Sequence, residues 1–273
     1  MAQPEGPHDV MTPLIARGTD LCFAALKLID ALRSDDATGA TMPESTVVRL
    51  HFVAVSTYMS GLLCLGMPET SLASYGLIRG LLEVWAHLTF IADEREGGDA
   101  RCRALRFERG AQREWADTVR KAPPYIDSVA WQARHDERNK DIDHLWTEWR
   151  CKGAPRTWRH VKATLNALAK EPTMEWIPGI WSASSASTHA FGVDFLLDSR
   201  GSETKLVWAL PSQRAAWLGF LVATFDYLTV TAASILAKGD RRIDVFQETA
   251  RELVEDEVLR SIARQDFDRD PNS

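Results

Sequence analysis

Arg79, Glu83 and His87 recur at every fourth position of SLASYGLIRGLLEVWAHLTFIAD, a stretch that is otherwise almost wholly apolar. Spacing of four puts consecutive members on nearly one helix face, and Tyr75 continues the line by a further turn. A guanidinium, a carboxylate and an imidazole on so apolar a helix are costly to bury unless they pair. As a working site, Glu83 would orient His87 or accept its proton, with Arg79 and Tyr75 as ligand-binding groups. The plainer alternative is an Arg79–Glu83 ion pair that fixes helix packing. Metal sites in helical bundles generally use Glu-x-x-His on two helices plus further glutamates. Here Glu-x-x-x-His occurs once, so neither a metal nor another cofactor is expected.

Ser185 and His189, in WSASSASTHAFGVDFLLD, form a second i, i+4 pair, and the small residues between them would let a neighbour approach closely. A serine nucleophile needs an activating base and oxyanion donors, but a serine inside a regular helix lacks the exposed, strained turn of hydrolases. A capping or packing serine beside a hydrogen-bonded core histidine is the competing reading. In RNKDIDH, Arg138 and His144 enclose five residues, the loose R-x(4–6)-H signature of HEPN ribonucleases. There the arginine would hold phosphate and the histidine would act on the ribose hydroxyl or leaving oxygen. Six residues apart on an ideal helix means directions differing by roughly 120°, so a dimer or a helix start would have to bring them together. Finally, Arg106, Arg109, Arg113 and Arg120 fall within about 60° on a helical wheel. Such a row can follow a phosphate backbone, but Glu108, Glu114 and Asp117 dilute it and equally suggest a salt-bridged surface.

These residues must be positioned by helices. Helical periodicity predicts elements over Leu14–Leu32, Ser45–Leu65, Glu69–Asp93, Asp99–Lys121, parts of 125–170, Trp176–Leu197, Ser212–Ala237 and Arg242–Gln265. TKLVWAL, over 204–210, is the one strand-like run. Strands never alternate with helices, which argues against a parallel α/β sheet. The expected fold is all-α, a large bundle of about eight helices in one domain over 1–265, with a disordered polar tail over 266–273. Trp131, Trp146, Trp149 and Trp158 cluster in the polar middle, where they would line a pocket or anchor short helices.

The chain has 273 residues, 45% of them hydrophobic, and a net charge of −6. This excludes a low-complexity or collagen-like chain and a surface basic all over. The stretch Trp217–Ala237 is as long as a bilayer is thick, but Asp226 near its middle argues for burial inside a bundle rather than membrane insertion. Cys22, Cys64, Cys102 and Cys151 form no CxxC pair, and reduced thiols in a cytoplasmic protein are expected.

The segment GLLCLGMPETSLASYGLIRGLLE, with its R-x-L-x-E helix motif at Arg79 and Glu83, and SASTH, with S-x-x-x-H at Ser185 and His189, resemble a bacterial all-α family catalogued as a domain of unknown function. The resemblance runs from about Ser45 to Gly192, roughly half of the chain. It implies a distantly HEPN-like fold in which Arg79, Glu83, Ser185 and His189 share one interhelical cleft. The favoured expectation is a cytoplasmic, HEPN-like binding or effector protein, directed at RNA or a partner protein in bacterial stress or phage defence, with a homodimer as one arrangement. Two alternatives stay open: a small-molecule enzyme with a Glu or His general base in a bundle cavity, and a structural interaction protein without catalysis.

Overall fold

A computed structural model describes residues 8–33, 42–67, 70–121, 128–156, 159–188, 197–198, 205–206 and 211–264. Among the described residues there are ten α-helices: α1 His8–Leu32, α2 Met42–Gly66, α3 Ser71–Ala92, α4 Ala100–Arg120, α5 Ser128–Glu148, α6 Arg159–Leu168, α7 Ile177–Thr188, α8 Pro211–Leu236, α9 Arg241–Val254 and α10 Glu257–Arg264. The all-α expectation holds, with ten helices where the sequence suggested about eight. The middle stretch resolves into α5 and α6, and the last predicted helix divides in two. Asp256 causes that division, because its carboxylate accepts the backbone N–H groups of Val258 (2.9 Å) and Leu259 (3.2 Å) and so starts α10 afresh. Lys205–Leu206, within the strand-like run, pairs antiparallel with Leu197–Asp198 as β2 on β1. That two-residue pairing occupies the end of the segment read as one helix over Trp176–Leu197. The tail over 266–273 lies outside the described residues.

Helices α2, α3 and α8 form the centre, with α1, α9 and α10 packed on one side of α8, and α4, α6 and α7 around α3. Tyr58, Leu62, Leu81, Trp85, Leu221 and Phe225 are buried among them, and the Tyr58 and Phe225 rings stack at 4.1 Å. Among the described residues, two segments, Glu44–Gly66 and Ser212–Leu236, are long and apolar enough to cross a membrane. In this fold α8 lies against α1, α2, α3, α9 and α10, and more than half of its apolar stretch is buried. Asp226 is buried with it, and the loss of solvation pushes its carboxyl up to about 7.

A smaller apolar cluster of Cys102, Leu105, Ile142 and Cys151, flanked by Leu145, Trp146 and Trp149, joins α4 to α5. Cys102 and Cys151 are bonded to each other, which corrects the expectation of four reduced thiols; Cys22 and Cys64 are free. Spacing alone hid the pair, because the two cysteines lie 49 residues apart and meet only when α5 folds back on α4. The tryptophans of the polar middle pin that hairpin. Arg109 lies over Trp146 at 4.2 Å, Arg101 over Trp149 at 5.3 Å, and Trp131 stacks on Trp115 at 5.4 Å. Trp158 is outside the described residues.

Candidate functional site

The Tyr75, Arg79, Glu83 and His87 line on α3 does not act as one group. Tyr75 stacks on Trp217 of α8 at 5.6 Å. Arg79 donates from Nε to Glu83 Oε1 at 3.1 Å and lies over Trp181 of α7 at 4.8 Å. The two side chains are 25% and 42% exposed. The ion pair that the sequence offered as the plainer alternative is present, within one helix and partly exposed. His87 turns instead to α4, its ring 4.8 Å from Phe107. Forty degrees of drift per four residues along an α-helix explains the divergence, since the ends of the line meet different neighbours. Ser185 belongs to α7, while His189 lies outside the described residues, as does the side chain of Ser185.

Arg138 and His144 are committed to separate carboxylates. Arg138 lies 3.5 Å from Glu108 Oε2, whereas His144 is 76% exposed and 3.6 Å from Glu148. Glu108, only 3% exposed, is a hub that sequence reading treated as mere dilution. It also accepts from Thr46 Oγ1 (3.0 Å) and pairs with Arg49, so one carboxylate joins α2, α4 and α5. The arginine stripe is largely spent in the same way: Arg109 pairs with Asp143 and Arg120 with Asp117, while Arg113 is exposed.

Arg106 departs from the stripe and leads to a cleft. Its Nε donates to Ala154 O (3.0 Å) and its Nη1 to Glu96 O (2.8 Å). In return Arg156 N–H donates to Arg106 O (2.9 Å). Gly110, one turn on, faces the Arg156 carbonyl so closely that a Cβ there would stand 1.4 Å from its oxygen. Cys102, Arg106 and Gly110 therefore form an i, i+4, i+8 line on α4 that clasps the segment 151–156 by a disulfide, by hydrogen bonds and by direct backbone approach. The segment runs back from α5 and delivers Arg156 beneath α6.

Arg156 is 4% exposed and borders a cleft of about 430 Å³ between the end of α3, the turn Glu94–Glu96, α4 and α6. Its Nη2 donates to Ala86 O (3.1 Å) and Thr164 Oγ1 (2.7 Å), and its guanidinium lies 4.4 Å from the centre of Phe90. The Arg106 guanidinium sits over the same ring at 4.9 Å. Burial, with the Arg106 charge adding to it, brings Arg156 down to about 10. Burial and then the Arg156 charge bring His87 down to about 4, so its ring is neutral at pH 7.

The chain was compared with protein-family models, with curated proteins and with solved structures, and none of the three comparisons returned a match. Among the described residues, five buried polar side-chain atoms lack a hydrogen-bond partner: Tyr58 Oη, His87 Nδ1, Thr89 Oγ1, Arg156 Nε and Asp226 Oδ1. Thr89 and Arg156 border the cleft, and His87 belongs to the turn of α3 that carries Ala86 and Phe90. Buried polar groups are ordinarily satisfied, so these atoms are exceptions within the fold.

Two other buried arginines show how unusual Arg156 is. Arg214 donates from Nε to Leu65 O (3.0 Å) at the end of α2, and Arg103 donates to Ile91 O (2.7 Å) at the end of α3. Each lies at the negative end of a helix dipole and meets carbonyls that the helix leaves open. Arg156 reaches Ala86 O, six residues before the end of α3, where no such dipole end is available. Sequence reading missed Arg156, Thr89 and Gly110, although the Cys102, Arg106, Gly110 spacing could have disclosed the clasp.

Proposed function

We propose that this chain is a helical binding protein whose working site is the cleft bordered by Thr89, Phe90, Arg106, Arg156 and Thr164, and that it takes a small organic molecule there. The carrying observation is that a cleft of about 430 Å³ is bordered by Arg156, a buried arginine whose guanidinium engages only Ala86 O and Thr164 Oγ1 by hydrogen bond among the described residues. That volume falls in the range of ordinary small-molecule sites. The proposal keeps the binding role expected from sequence but moves it away from Glu83 and His189. An RNA-directed role would call for a row of guanidiniums without carboxylate partners. On α4, Arg109 and Arg120 are paired and Arg106 holds backbone carbonyls, which favours the cleft.

Ala163, on the cleft wall formed by α6, offers a test that leaves the arginines in place. Ligand-observed NMR with a library of small molecules of mixed charge should find binders that are lost in Ala163→Trp. Binders unaffected by that substitution, or none at all, would refute the assignment. RNA binding lost in Arg113→Ala and unchanged in Ala163→Trp would favour the RNA-directed alternative instead.

A further inference from the structure

Charge accounting in the cleft narrows the ligand. Asp93 is held by Arg95, whose Nε and Nη2 donate to it at 2.9 Å each. Glu96 stands 3.8 Å from Arg106 Nη2. Lys170 and Glu171 border the rim as neighbours of opposite sign, and His160 contributes an imidazole. Arg156 remains. No carboxylate of the described residues lies within ion-pair distance of it, and Glu96, whose charge favours the cationic form of Arg156, is shared with Arg106. A buried cation without its own counter-charge is costly relative to a paired one. The chain keeps this one at 4% exposure, on the wall of a cavity.

We propose that the cleft binds a small organic monocarboxylate, its carboxylate meeting the Arg156 guanidinium and its apolar body lying against Ala167 and Leu168. The inference rests on the binding role proposed above and names the ligand class. Nη2 is already occupied by Ala86 O and Thr164, but Nη1 makes no hydrogen bond among the described residues and is not sealed from solvent as Nε is. Nη1 is therefore the contact point for an oxyanion. A carboxylate brings one negative charge to one uncompensated positive charge, whereas a phosphate dianion would bring its second charge toward Asp93, Glu96 and Glu171. The hydrocarbon side of the cleft supplies the apolar contact that a small carboxylic acid needs beyond its headgroup.

Titration calorimetry on the full chain with benzoate and hexanoate, against benzamide, hexanamide and inorganic phosphate, tests this. The carboxylates should bind at least tenfold more tightly than the matched amides, because an ion pair with Arg156 replaces a hydrogen bond from the same guanidinium to a neutral acceptor. Phosphate should bind more weakly than either acid. Arg156→Gln should erase the preference for acids over amides, and circular dichroism checks that the variant folds. If it does not fold, Ala163→Trp carries the test, since it should abolish carboxylate binding with Arg156 intact. Amides binding as tightly as acids, with both lost in Ala163→Trp, would overturn the carboxylate class and leave the binding site standing. Phosphate outcompeting the acids would overturn the class as well. Binding of no probe, or binding indifferent to Ala163→Trp, would overturn site and class together.

Discussion

Gly110→Ala is the sharpest perturbation of the clasp that builds the cleft, because simple helix propensity gives the opposite sign. Gly110 lies inside α4, where alanine should stabilise an exposed helix by about 1 kcal/mol. In the fold, however, the new Cβ would stand 1.4 Å from the Arg156 oxygen, 2.5 Å from its carbon and 3.3 Å from its nitrogen. All three are backbone atoms, so no rotamer relieves the clash, and the segment must retreat by roughly 2 Å to reach an ordinary contact. Retreat breaks the Arg156 N–H bond to Arg106 O and pulls Nη2 from Ala86 O and Thr164. Three hydrogen bonds at about 1 kcal/mol each, with about 1–3 kcal/mol of overpacking, outweigh the helix gain and leave a net loss of about 3–5 kcal/mol. Urea unfolding measures this directly. Gly219→Ala in α8 is the control, since a Cβ there meets nothing within 4 Å and should be neutral or mildly stabilising. If Gly110→Ala proves as stable as Gly219→Ala, the close approach of Arg156 to α4 is wrong, and the cleft built on it falls too.

Reducing the Cys102–Cys151 bond, or replacing both cysteines by serine, should lower stability by up to about 4 kcal/mol, the chain-entropy value for a loop of 49 residues; denaturant midpoints with and without reductant check it. Asp226 is raised from 3.8 to about 7 in the fold, so the folded state holds its proton more tightly than the unfolded chain does. Its effect is a loss of stability as pH rises from about 4 to 7 that levels off above, and Asp226→Asn should flatten this slope and stabilise the protein by a few kcal/mol at pH 8. Glu108→Gln keeps an acceptor for Thr46 but leaves Arg49 and Arg138 without their shared anion, which should cost about 2 kcal/mol by thermal unfolding; a neutral result would mean that solvent screens the hub.

Helices α2 and α8 are legible as long, nearly continuous apolar runs rather than as narrow stripes. Ser45–Leu65 and Ser212–Ala237 match α2 and α8 to within a few residues. The last helix was drawn too long because Asp256 is invisible to hydrophobic periodicity: its apolar neighbours keep the same rhythm while its carboxylate restarts the backbone. The site was less legible for a related reason. Spacing along one helix identifies groups that share a face, but it does not say what that face meets. Arg79 and Glu83 share a face and pair with each other. Arg106 shares a stripe with Arg109 and Arg113, yet its partners are carbonyls of Glu96 and Ala154, brought in by the turn after α3 and the segment after α5.

Arg156 was hardest to see, because nothing around it in sequence is periodic and its burial depends on a contact across α4. Its distinction from Arg103 and Arg214 is one of placement rather than residue type. Those two side chains close helix ends, where open carbonyls and the dipole favour a cation and leave no call for a ligand. Arg156 is held at the middle of α3 by the disulfide, the Arg106 bonds and the absence of a side chain at Gly110, with two guanidinium nitrogens left over. A fold that needed only another helix cap would not require three separate constraints to carry a cation there. The constraints make sense if the cation is kept ready for an anion that arrives from outside.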